Sequence, residues 1–197
     1  MNALTRGIFI LMKILMMRDN NNTQGLLDLI KMFPENTTMA EIGCYAGESM
    51  EIFFNSGKIK QLFAIDPWMG GYNHATSPEV SDFNLVEHTF DNRAVNKNIV
   101  KLKMTMKEAL DLLPELDVIY IDGNHTYACV LEDIKLSLQK IKDGGIICGH
   151  DYNSLDVDVV QAVNKVFGKP DKIFSDSSWM VKITKGVKTW QLTNNGS

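Results

Sequence analysis

Basic charge is the first thing this sequence has little of. Its Lys and Arg number 20 against 24 Asp and Glu, a net charge of −4 with a pI near 5.6. Without a basic excess there is no face for a phosphate backbone, so a nucleic-acid partner is not expected. Cysteine is scarce as well. Cys44, Cys129 and Cys148 are odd in number, form no CxxC pair and lie in apolar stretches, where a thiol behaves as a small hydrophobe. That pattern speaks for a reducing, cytoplasmic setting rather than a disulfide framework. No apolar run is long enough to span a bilayer. The stretch 7–17 is interrupted by Lys13 and followed by no small-residue cleavage site, so neither a membrane span nor a signal peptide is expected. It reads instead as an amphipathic helix with Met12, Met16 and Met17, suited to a core edge, a contact between like chains in a homo-oligomer, or a substrate lid. Internal repeats and low-complexity tracts are absent, and the polar runs 19–23 and 194–197 read as a connector and a frayed tail.

What is present is an ordinary globular composition, 45% hydrophobic and 22% charged over 197 residues, which suits one domain with one sizeable core. A helical extension is expected over 1–36 and the core over 37–193. Short, β-branched or uniformly apolar runs at 39–43, 61–65, 99–103, 118–121, 145–149, 172–175 and 179–183 read as strands covered on both faces. The clearest helix is expected over 127–142, where Tyr127, Leu131, Ile134, Leu138 and Ile141 repeat at three- and four-residue steps before Asp143-Gly144-Gly145. Others are expected from Gly47 to the Asn55-Ser56-Gly57 stop and over 80–95. Strand and helix in alternation imply an α/β fold: a doubly wound, mostly parallel, seven-stranded Rossmann-like sheet with helices on both faces. Ligands of such sheets bind beyond the carboxyl ends of the strands, so the residues just after each strand carry the functional reading.

After the first strand comes Glu41-Ile42-Gly43-Cys44-Tyr45-Ala46-Gly47-Glu48-Ser49, two glycines four apart with an acid before them and a helix after. A turn of that kind lets backbone approach a ligand, although a strand-to-helix turn with no ligand also favours glycine. The second strand ends in Ile65-Asp66-Pro67-Trp68, which places a carboxylate where it can accept from both ribose hydroxyls of an adenosine ligand. A nicotinamide cofactor would also want that acid, but its pyrophosphate calls for GxGxxG, and Tyr45 and Ala46 stand where that spacing puts glycines. S-adenosylmethionine (SAM) has no phosphate and carries a sulfonium and an ammonium, which an acid such as Glu41 suits better.

Strand four ends in Asp122-Gly123-Asn124-His125 and strand five in His150-Asp151-Tyr152. Both tips face one crevice, so Asp122, His125, His150 and Asp151 are expected to converge, a set of oxygen and imidazole donors suited to a divalent metal. The alternative at each position is structural: an aspartate before glycine caps a turn, His150 bonds backbone, and His125 caps the helix that follows it. Trp68, Trp179 and Trp190 read as packing residues, with Trp68 also placed to line the crevice.

Taken together, Glu41–Ser49, Ile65-Asp66-Pro67-Trp68, Asp122-Gly123-Asn124-His125 and Gly144-Gly145-Ile146-Ile147-Cys148-Gly149-His150-Asp151-Tyr152 resemble class I SAM-dependent methyltransferases of the small-molecule O-methyltransferase type, the catechol-like and sugar O-methyltransferase branch. The resemblance runs over 39–183. It implies that Glu41, Gly43, Tyr45, Gly47 and Ser49 hold the methionine part of SAM, Asp66 with Pro67 and Trp68 the ribose side, and the 104–106 stretch with Thr105 and Met106 the adenine, with Asp122 closing the site. Tyr45 replaces the middle glycine, as is usual in that branch, and Met106 stands where many relatives place a serine. The resemblance further implies a metal, magnesium or manganese, on Asp122, His150 and Asp151, with His150 at an otherwise acidic position, and His125 as the general base with Asp122 beside it. An alcohol is a poor nucleophile at neutral pH, and an imidazole is suited to take its proton. The expected reaction is methyl transfer to a small-molecule hydroxyl entering over the loop 67–79. That loop lacks an aromatic cluster, which leans toward a sugar or glycan rather than a flat catechol. A nicotinamide-dependent oxidoreductase and a non-catalytic SAM-binding module are the alternatives.

Overall fold

The computed structural model describes residues 23–69 and 83–184. The expected helix over 7–17, residues 70–79 of the acceptor loop, Trp190 and the tail at 194–197 lie outside the described residues. Seven strands are present: β1 Thr37–Ile42, β2 Ile59–Ile65, β3 Ile99–Leu102, β4 Leu116–Ile121, β5 Ile141–Gly149, β6 Lys172–Ile173 and β7 Trp179–Lys182. They form one sheet in the order β3-β2-β1-β4-β5-β7-β6, parallel from β3 to β5, with β7 antiparallel to both β5 and β6. Helices α1 Thr23–Ile30, α2 Glu48–Asn55, α3 Phe83–Ala94, α4 Met106–Ala109, α5 Tyr127–Lys140 and α6 Val157–Phe167 complete the described chain, with a single 3₁₀ turn at Leu110–Leu112. Among the described residues no helix is long and apolar enough to cross a membrane.

The strands are apolar on both faces because each face is covered. Met39, Leu62, Ala64, Val118, Tyr120, Ile146 and Cys148 meet α1, α2 and α3 through Leu26, Leu29, Met50, Phe53, Val86 and Phe90. The alternate residues Ala40, Ile42, Phe63, Ile65, Ile119, Ile121 and Ile147 meet α4, α5 and α6 through Met106, Val130, Ile134, Val159 and Val163. The two-residue period of a strand thus sorts one sequence into two cores.

Some boundaries differ from the expectation. Helix α5 stops at Lys140, two residues early, because Ile141 leaves the helical stripe to pair with Leu116 as the start of β5. The expected stripe does face the core, with Ile134 and Ile141 buried and Tyr127, Leu131 and Leu138 packed against it, and the buried face also takes in Val130, Asp133 and Ser137, two of them polar and so hidden from a reading of hydropathy. Thr23, expected in a connector, is the first residue of α1.

The sheet reverses its winding between β1 and β4, whose ends run level with Ile42 opposite Ile121. Here the strands pass close. Gly43 has φ 86°, and a β-carbon on it would lie 2.2 Å from the carbonyl oxygen of Asp122. Its glycine is therefore required by the neighbouring strand, before any ligand is considered. Gly43→Ala is expected to cost roughly 2–5 kcal/mol from left-handed strain together with the clash. Gly57 has φ 76° and nothing within 4 Å of such a carbon, so Gly57→Ala should cost only about 1–2 kcal/mol. Urea denaturation of the two variants checks this, and equal losses would contradict the packing account.

Candidate functional site

The turn after β1 is held from its neighbours. Asp66, at the tip of β2, accepts from the backbone N–H of Tyr45 through Oδ2 at 2.8 Å and from that of Trp68 through Oδ1 at 2.6 Å. Burial raises its pKa, and the N–H groups of Tyr45, Trp68 and Cys44 oppose that rise. Tyr45 and Trp68 both take left-handed backbone, with φ 45° and 44°, and these bonds help hold them there. Trp68 is buried: its indole N–H donates to the Tyr45 carbonyl at 2.8 Å, and its ring packs on Phe90 with centroids 4.9 Å apart. The Lys101 ammonium lies over both rings, 4.8 Å from the Trp68 centroid and 5.9 Å from that of Phe90, and is paired with Glu87 and Asp91. Pro67 continues the chain between these two anchors. Trp179 is fully buried, as a packing residue should be.

Glu41 is fully buried and its carboxylate accepts from the Ser49 hydroxyl, joining β1 to the first turn of α2. Gly47, φ 81°, opens that helix where a β-carbon would press on Met50 and Phe90 at 2.9 Å. Beyond β3, Thr105 caps α4: its hydroxyl accepts from the Glu108 N–H and donates to the Glu108 carboxylate, which also accepts the Thr105 N–H. Met106 is buried in the core, so its side chain is turned away from the crevice.

Across the switch point, the ends of β4 and β5 bring together Asp122, His125 and Asp151, with one ligand atom from each lying within 4.8 Å of the others. His125 Nε2 is 3.1 Å from Asp151 Oδ2 and 3.7 Å from Asp122 Oδ1, while Nδ1 faces Asp156 Oδ1 at 3.9 Å. Asp122, His125, His150 and Asp151 converge as expected; among the described residues the three whose donor atoms lie together are Asp122, His125 and Asp151, with His150 outside that trio. His150 Nδ1 instead meets the other oxygen of Asp151 at 2.9 Å, so Asp151 bridges the two imidazoles. Nor does His125 cap the following helix: the N–H of Thr126 is met by Asn124 Oδ1 and that of Tyr127 by Asp158 Oδ2, both at 3.0 Å.

Asp156 and Asp158 were not foreseen. Asp156 is aimed by Asn153, whose amide donates to Asp156 Oδ2 at 2.9 Å and whose oxygen accepts from the N–H groups of Leu155 and Asp156. An asparagine three residues ahead of an acid, before a helical pattern, is the local signal that could have pointed there.

A family described as a methyltransferase domain matches residues 40–152, more than half of the chain. The chain belongs to this methyltransferase family. An uncharacterised protein of Acanthamoeba polyphaga mimivirus is similar, at 31% identity over 141 residues, which are 67% of this chain and 60% of that protein. The chain thus spans about three-fifths of that relative. The solved O-methyltransferase NovP superposes with a TM-score of 0.59 at 17% identity, over 84% of this chain and 78% of its own. The precorrin-6y C5,15-methyltransferase of Geobacter metallireducens gives 0.55 at 16% identity, over 77% and 72%. At these identities the structural likeness is one of fold.

Within the methyltransferase domain the electrostatics of His125 have a definite sign. Its pKa is raised above the ordinary histidine value, first by the neighbouring Asp122 carboxylate, against partial burial, and further by the charges of Asp151 and Asp156. Asp151 is the nearer carboxylate, but both push the same way, so the direction holds however the effect is shared. The imidazole is protonated below that raised value and becomes a base only above it. NMR titration should place His125 above about 6.5, and Asp122→Asn should lower it; a wild-type value below 6.5 would contradict the geometry.

Proposed function

We propose that this chain transfers the methyl group of SAM to a hydroxyl of a small molecule. The supporting observation is the arrangement across the switch point of a methyltransferase-family sheet: a backbone-anchored acid at the tip of β2, opposite an imidazole set among carboxylates at the tips of β4 and β5.

The residues fit the cofactor. An ionised carboxylate has about four lone-pair sites, and the backbone N–H groups that converge on Asp66 use only part of that capacity, leaving room for ribose hydroxyls. The turn through Gly43, Tyr45 and Gly47, braced by Glu41 and Ser49, lies beside it for the methionine part, and Pro67 and Trp68 shape the ribose side. SAM supplies a methyl group on a sulfonium. The chain supplies position and proton transfer. His125 Nε2 takes the proton of the acceptor hydroxyl, and Asp122 and Asp151 stabilise the charge that then resides on the imidazole.

Asp122, His125 and Asp151 also fit a divalent cation, offering two carboxylate oxygens and one imidazole nitrogen, a mixed set suited to manganese or zinc as well as magnesium. A cation held there would polarise the acceptor oxygen. Nε2 does not serve as proton acceptor and metal ligand at once, so the two roles of His125 exclude each other. The acceptor is read as a sugar or glycan from the polar loop 67–79, and the setting as cytoplasmic from the cysteine pattern.

Asp66→Ala is expected to weaken binding of S-adenosylhomocysteine by on the order of 2–4 kcal/mol in titration calorimetry, and to lower the melting temperature because the turn at Tyr45 loses its anchor. Unchanged affinity would remove Asp66 from the cofactor site. His125→Ala should lower kcat toward an identified hydroxyl acceptor by about 10²–10⁴ while leaving S-adenosylhomocysteine affinity near wild type. Activity of the wild type that survives exhaustive EDTA treatment assigns His125 to the base role, whereas its loss with cofactor binding intact assigns it to a cation.

A further inference from the structure

Helix α5 turns Asp133 inward beside Val130 and Ile134. Asp133 is 9% exposed, and among the described residues nothing hydrogen-bonds to its carboxyl group. Burial, with a smaller push from Glu132, raises its pKa to about 7. An acid buried without a partner lowers stability, and a fold that keeps one calls for a reason.

Its position supplies that reason. A β-carbon built on Gly123 would lie 3.8 Å from Asp133 Oδ2 and 3.6 Å from Ile42 Cγ2, ordinary contacts, and Gly123 has no left-handed φ. Among the described residues nothing requires glycine there. The missing side chain leaves room for a methyl-sized group between the end of β1, the end of β4 and α5, next to Gly43 on one side and Asp122 on the other. Ile42, Met106, Val130 and Ile134 line the same layer, and α4 packs against α5 there. The stretch after β3, where the adenine is expected, has its polar side chain engaged: the Thr105 hydroxyl is held by Glu108, and Met106 is buried.

We infer that Asp133 recognises the adenine of SAM, its carboxyl oxygen accepting a hydrogen bond from the exocyclic amine in the corner that Gly123 leaves open. This rests on the cofactor reading above and extends it to the base. A carboxyl group that keeps its proton also offers an O–H to the adjacent ring nitrogen, so either protonation state makes at least one bond to the adenine edge.

Titration calorimetry on the full chain with S-adenosylhomocysteine and S-inosylhomocysteine, in which a carbonyl replaces the amine, tests the inference. Above about pH 8, where the carboxylate is ionised and has no proton to give the inosyl carbonyl, the wild type should prefer the adenosyl compound by roughly ten- to a hundredfold. Asp133→Leu should bring that ratio close to one. Gly123→Val, which fills the corner while keeping the acid, should weaken both compounds. Wild-type discrimination retained in Asp133→Leu overturns the inference, the more so with a raised melting temperature, which marks a merely buried acid. Should Asp133→Leu fail to fold, undiminished affinity in Gly123→Val overturns it instead. A wild type that binds neither compound defeats the cofactor reading itself, an outcome distinct from binding both equally, which defeats only the role of Asp133.

Discussion

The crevice depends on one carboxylate. Asp66 sits at the end of β2 and reaches the turn after β1 through Tyr45, and its own following turn through Trp68. Without those two bonds, two residues in left-handed backbone lose their anchors and the indole of Trp68 loses its seat under the Tyr45 carbonyl. Burial makes the charge costly, and the converging N–H groups offset part of that cost. The same group is then a structural pin and, in the reading proposed here, half of a ribose clamp, because backbone donors use only part of its accepting capacity. Substitutions at Asp66 therefore act on folding and on binding together.

At the other side of the switch point the balance is one of charge. A single imidazole faces Asp122, Asp151 and Asp156, and Asp151 also serves His150. Such a site favours a positive species: a proton on His125, a divalent cation in its place, or the sulfonium of a methyl donor nearby. In the proposed reading, the carboxylates that would stabilise the protonated imidazole after reaction are the ones that raise the pKa of His125 beforehand, so a base there gains product stabilisation and loses availability at low pH. The loop carrying Asp156 is stiffened by Asn153, which fixes how closely that third charge approaches.

Much of this was legible in the residues. All seven strands and the switch point follow from short apolar runs and the order of motifs, because a sheet covered on both faces leaves few polar interruptions. The convergence of Asp122, His125 and Asp151 follows from strand ends alone. What escaped did so for physical reasons. Ile141 fits a helical stripe and a strand equally well, and only pairing with Leu116 decides. The choice of His125 over His150 depends on side-chain direction beyond the strand tips, which spacing does not carry. Asp133 is polar on a buried face, so hydropathy hides it. At Gly43 the neighbouring Asp122 carbonyl by itself requires glycine, a packing reason that the glycine spacing alone does not carry.

In the proposed reading the crevice holds an adenosyl sulfur compound and not a dinucleotide. Thermal denaturation with S-adenosylhomocysteine or NAD at saturating concentration addresses it directly, since a ligand at a hundredfold its Kd stabilises the folded chain by about 2.7 kcal/mol. The account predicts a raised melting temperature with S-adenosylhomocysteine and none with NAD. A rise with NAD alone would contradict it.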